Sequence, residues 1–61
     1  MNLTEAQKES LRKLYDRNPG DHKDVDEFIK SASGLIGGRG CIMVRWCNMW
    51  IGVEPDGYAH S

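Results

Sequence analysis

Cys41, Cys47, His22 and His60 are the side chains in this sequence best suited to bind a metal or act as nucleophile and base. A structural zinc site takes four donors, chiefly thiolate and imidazole. The spacing of these cysteines and histidines matches no structural zinc pattern, so no metal and no cofactor is expected. The cysteines are six positions apart. On one extended strand both would point to the same face, about 20 Å apart at roughly 3.3 Å per residue. A disulfide needs Cα atoms within about 7 Å, so two free thiols are expected. A cysteine nucleophile would need a histidine and an acid beside it. No family signature surrounds either cysteine, and nothing in the sequence brings such partners together. His60 reads as a solvated tail residue. The expectation is a protein that is not an enzyme.

Other chemistries have weaker support. "GGRG", Gly37 to Gly40, could pass for a phosphate loop, but it lacks the Lys-Ser/Thr pair and a strand-to-helix setting; it reads as a connector. The net charge is −1, from eight basic and nine acidic side chains. That balance removes the usual electrostatic drive for nucleic-acid binding. Arg12, Lys13 and Arg17 form a local basic cluster, but Glu5, Glu9 and Asp16 sit among them, as on a solvated helix face. With Arg39 they would be the contact set if nucleic acid were bound. No apolar run reaches membrane-span length, and "MNLTEAQKES" does not read as a signal peptide, so a cytoplasmic setting is expected.

These residues must be held by a chain of 61 residues, which is read as one small domain over 1–61. Thr4 and Gln7 open a helix over about 4–17 with a capping box. Leu11, Leu14 and Tyr15 form its narrow apolar stripe, and Asn18-Pro19-Gly20 stops it. Asp24 and Glu27 start a second helix over about 24–34. Val25, Phe28, Ile29, Ala32 and Ile36 repeat at helical spacing, and Gly34 ends it. From Cys41 the period changes to two, predicting a hairpin over about 41–54. Pro55-Asp56-Gly57 is a turn, after which 58–61 forms a short third strand or a loose tail. The fold class is therefore α+β: two N-terminal helices packed on a C-terminal antiparallel hairpin or three-stranded meander.

Loop length decides what the hairpin faces carry. A two-residue turn at Cys47-Asn48 opposes Trp46 to Met49, Val44 to Ile51 and Ile42 to Val53, giving one wholly apolar core face. A four-residue loop, Cys47 to Trp50, also keeps an apolar face. A three-residue loop would put Glu54 on that face and is rejected. In the two-residue register the other face pairs Arg45 with Trp50, Met43 with Gly52 and Cys41 with Glu54. Arginine over an indole is a favourable cross-strand pair. An outer face with Trp, Met and a dip at glycine has the composition of a protein-binding surface. Met43, Arg45, Trp50 and Gly52 are its candidate contact residues. The alternative is that a third strand, the tail or the first helix covers this face.

The segment "CIMVRWCNMWIGVEPDGYAHS" resembles the ends of small uncharacterised bacteriophage-encoded proteins, and "LTEAQKESLRKLYDRNPG" is similar in style to their helical openings. The resemblance covers most of the chain and carries no catalytic motif. It implies a viral accessory protein that binds a host or viral protein, in the host cytoplasm or in the virion. A small structural virion component or a homodimer is the alternative.

Overall fold

A computed structural model describes residues 3–34 and 40–61 as a small α+β domain. The expected helix residue Ile36, and Gly37 to Arg39 of the connector, lie outside the described residues. The first helix, α1, spans Glu5–Arg17. Its capping box is complete: the Gln7 backbone N–H donates to Thr4 Oγ1 at 3.0 Å, and the Thr4 N–H donates to Gln7 Oε1 at 2.9 Å. At its other end the Asn18 N–H closes on the Leu14 carbonyl, and Gly20 turns the chain at φ 61°.

The second helix, α2, is shorter than the spacing predicts: it spans Val25–Lys30 rather than reaching 34. Asp24 caps it by accepting from the Glu27 N–H at 2.9 Å. The Glu27 carboxylate reaches back to the Lys23 N–H at 2.8 Å. Termination has a local cause. The Ser31 hydroxyl donates to the Phe28 carbonyl at 2.6 Å, a back-bond that competes with further helix. Beyond it Ser33–Gly34 are extended and form strand β1. The apolar spacing that suggested more helix thus runs through a strand.

Strands β2, Ile42–Trp46, and β3, Met49–Val53, form the hairpin, and β4, Ala59–His60, returns beside β3. The sheet is antiparallel with order β1-β2-β3-β4. The register is that of the two-residue turn: Ile42 faces Val53, Val44 faces Ile51 and Trp46 faces Met49. Cys47 and Asn48 take φ of 54° and 62°. Two successive left-handed residues match the twist of the flanking strands, which is why such turns dominate tight hairpins.

The buried core joins Leu11 of α1, Phe28 of α2 and Ala32 to Ile42, Val44, Ile51 and Val53 of the sheet. Tyr15 and His22 pack on the Phe28 ring at centroid distances of 5.8 and 5.0 Å. One expected core position departs from this pattern. Met49 is 44% exposed. The helical cover ends at the last turn of α1. There the Trp46 indole N–H is taken by the carbonyls of Leu14, at 2.8 Å, and Asn18, at 3.2 Å. Trp46 is thereby held half-buried at the edge of the core, and its cross-strand neighbour is left outside.

Three polar side chains at the start of α1, its N-cap Thr4 with Gln7 and Ser10, fasten the opposite end of the sheet. The buried Gln7 amide donates to the Gly40 carbonyl at 2.7 Å and to the Val53 carbonyl at 3.1 Å. Thr4 Oγ1 donates to the Pro55 carbonyl at 2.6 Å, and the Ser10 hydroxyl donates to the Gly57 carbonyl. Gly57 has φ 93°, and a Cβ there would meet the Ala6 carbonyl oxygen at 3.0 Å. Only glycine lets the 55–57 turn lie this close to the helix. The turn sends β4 back along β3.

Candidate functional site

The outer face of the hairpin is divided. Toward the turn, Arg45 is exposed and Trp50 is 53% exposed, with the Arg45 guanidinium 5.7 Å from the indole centroid. The pair is the expected cross-strand one, Arg45 opposite Trp50. Met49 is also exposed at the tip, but on the opposite face of the strand, beside Trp46. A cleft of about 410 Å³ opens on the other side of the tip, between the 18–22 loop and residues 45–48. Its wall includes the exposed Cys47, whose sulfur accepts from the Asn18 side-chain amide at 3.0 Å.

Away from the turn the same face is closed. Gly52 is buried, and the dip expected beside it is filled. A Cβ built on Gly52 would lie 2.9 Å from His60 Cε1 and 3.4 Å from Met43 Sδ. The imidazole of β4 thus rests where a side chain would otherwise stand, and Met43 is half-buried next to it. Of the four expected contact residues, Arg45 and Trp50 are open to solvent, Met43 is partly covered, and Gly52 offers no open dip. The third strand supplies this cover: β4 pairs His60 with Gly52 and Ala59 with Val53.

The closed half brings together groups that sequence reasoning kept apart. Cys41 Sγ, a Glu54 carboxylate oxygen and a His60 ring nitrogen lie within 4.8 Å of one another. His60 is no loose tail residue: its Nε2 is 2.8 Å from Glu54 Oε2, and its ring stacks on Tyr58 at 5.8 Å with a 27° interplanar angle. Cys41 is buried, with 8% exposure. Burial pushes its thiol pKa up, the Glu54 charge and hydrogen bond push it further, and the backbone of Val53 opposes them. The cysteines are both free, as expected. The signal for this cluster was present in two parts. The two-residue register sets Cys41 across from Glu54, and the Pro-Asp-Gly turn returns His60 to the same face.

The helical basic cluster has no comparable focus. Arg12 lies 3.5 Å from Glu9, Lys8 lies 3.3 Å from Glu5, and Lys13 and Arg17 are exposed. Arg39 lies outside the described residues. No helix among the described residues is long and apolar enough to cross a membrane. No protein-family model matches the chain, and no curated protein or solved structure matches it significantly.

Proposed function

We propose that this chain is a non-enzymatic protein-binding module acting through the tip of its hairpin. The observation that carries the reading is Trp50, a large aromatic side chain left 53% exposed on a sheet face, with Arg45 beside its ring. Burying such a side chain in a partner's pocket releases apolar area worth roughly 1.5–3 kcal/mol, and tryptophan and arginine are the residues that most often dominate interfaces. Met49, on the opposite face of the same strand end, is also exposed at the tip. On the resemblance to phage-encoded proteins, the partner is a host or viral protein, met in the host cytoplasm or in the virion.

The test compares the wild-type chain with Trp50→Ser and Arg45→Ser as bait in host lysate. A partner captured by the wild type is then purified, and its affinity for each chain is measured by calorimetry. The reading requires direct binding that weakens at least about ten-fold in Trp50→Ser, about 1.4 kcal/mol. Equal binding by the variants would overturn it.

A second reading is a homodimer or small virion subunit that pairs sheet edges. It is favoured by the extent of β4, which pairs only with Gly52 and Val53. Among the described residues no strand lies beside Met49 and Trp50 on that edge of β3. Unpaired edge backbone is a ready template for another strand. Sedimentation of the purified chain separates the two: self-association that survives Trp50→Ser supports edge pairing, and a monomer at high concentration removes it.

A further inference from the structure

We propose that Cys41, Glu54 and His60 form a binding site for a single zinc ion, at the closed end of the sheet and separate from the hairpin tip. The three donors are a thiol, a carboxylate and an imidazole, each a donor type that zinc takes. The sulfur selects against magnesium and calcium, which take oxygen donors. Their ligand atoms already lie within 4.8 Å of one another. Around tetrahedral zinc, with bonds of about 2.0–2.3 Å, neighbouring donors stand about 3.3–3.6 Å apart. Glu54 and His60, now 2.8 Å apart, must open slightly, and the sulfur must close in. The ligand atoms therefore have to shift by about 1 Å.

Each donor sits on or beside a different strand. Cys41 immediately precedes β2, Glu54 immediately follows β3, and His60 lies on β4. The Gln7 amide clamps the carbonyls of Gly40 and Val53, the residues just before Cys41 and Glu54. Thr4 and Ser10 hold the turn that returns His60. A second observation also points to a built site. Gly52 leaves the space in which the imidazole rests, and Tyr58 stacks on the ring from β4's own side. The sulfur is buried, whereas the side chains of Glu54 and His60 are 36% and 40% exposed, which gives the ion an entry path and leaves its fourth position to water.

Binding is written as exchange: the Cys41 thiol gives its proton to solvent and its sulfur bonds zinc as thiolate. Glu54 binds as carboxylate and His60 through a neutral ring nitrogen. With two anionic ligands, the site neutralises the ion's charge.

The experiment titrates the reduced, metal-free chain with zinc chloride by calorimetry and with cobalt chloride by absorption spectroscopy. The expected result is one ion per chain and a thiolate-to-cobalt charge-transfer band. Both should persist in Cys47→Ala. In Cys41→Ala the charge-transfer band should vanish, and in Cys41→Ala and His60→Ala zinc affinity should fall at least about ten-fold. Circular dichroism checks that each variant is folded; if Cys41→Ala is not, His60→Ala, on an exposed edge strand, decides. No binding by the wild type, loss with Cys47→Ala rather than Cys41→Ala, or one ion per two chains would overturn the proposal.

Discussion

Replacing Gln7 with leucine probes the joint between the helical layer and the sheet. Gln7 is 1% exposed, and its amide uses both N–H groups on the sheet: one on Gly40, one on Val53. Leucine has similar bulk but no donor, and it also lacks the Oε1 that accepts the Thr4 N–H, a group at the exposed helix start that water can take over. Val53 is fully buried, so its carbonyl would lose a partner that water cannot readily replace, a cost of about 1–3 kcal/mol. Gly40 is exposed, so its carbonyl can turn to water, and the lost bond costs only about 0.5–1.5 kcal/mol. Added apolar burial offsets part of this, leaving a net loss of about 2 kcal/mol. A domain of 61 residues has about 3–9 kcal/mol in total at 0.05–0.15 kcal/mol per residue. In urea, with a slope near 1 kcal/mol per molar for a chain this small, the midpoint should fall by about 2 M. Tryptophan fluorescence and circular dichroism should give the same transition. A midpoint within about 0.3 M of wild type, with unchanged slope, would refute the clamp as a source of stability. Gln7→Glu should be worse near neutral pH, because an ionised carboxylate faces two carbonyl oxygens with nothing to donate.

Trp50→Ser should change stability by no more than about 1 kcal/mol in the same urea assay, since it removes an exposed ring and one cation–π contact. Iodoacetamide should label Cys47 first and Cys41 slowly, as mass spectrometry of timed samples would show. Cys47 is exposed, while Cys41 is buried with its thiolate disfavoured by burial and by Glu54. Asn48→Gly should stabilise the hairpin by up to about 1 kcal/mol, because glycine occupies φ 62° without strain and the turn type prefers it there; thermal melting reads this. Gly52→Ala should leave the fold within about 1 kcal/mol of wild type while displacing His60, because the 2.9 Å contact is with the far end of an exposed side chain that can turn toward solvent; loss of zinc binding without loss of the melting transition would show it.

The hairpin was legible because strict alternation and a charge at Glu54 leave few registers. Putting Glu54 among Ile42 and Val44 is costly, and that alone removes the three-residue loop. The capping box at Thr4 and Gln7 was legible for a similar reason, being a short-range pattern. The end of α2 was not. Ala32 fits a helical stripe and is buried either way, so its spacing could not report that the chain had already left the helix. Deciding that depended on Ser31's back-bond and on the pairing of Ser33 with Met43, ten positions ahead in the sequence. The second role of Gln7 was also hidden. A capping residue satisfies its own helix, and nothing local says that its spare N–H groups will reach Gly40 and Val53. The cluster at Cys41 needed the register and the C-terminal turn taken together, and counting cysteines and histidines alone leaves out Glu54.

Gly52 joins these observations. With a side chain there, the outer face would be one apolar strip from Met43 to Trp50. Without one, the imidazole of His60 lies down on β3 and cuts the strip in two. One part keeps Trp50 and Arg45 open to solvent; the other gathers a thiol, a carboxylate and an imidazole around a closed end. The two parts rest on different anchors. The tip is held by the Trp46 indole on the last turn of α1, and the closed end by Thr4, Gln7 and Ser10 on its first turns. One helix therefore positions both, from opposite ends. For that reason Trp50→Ser should spare zinc binding and His60→Ala should spare partner binding, and each proposal can fail without the other.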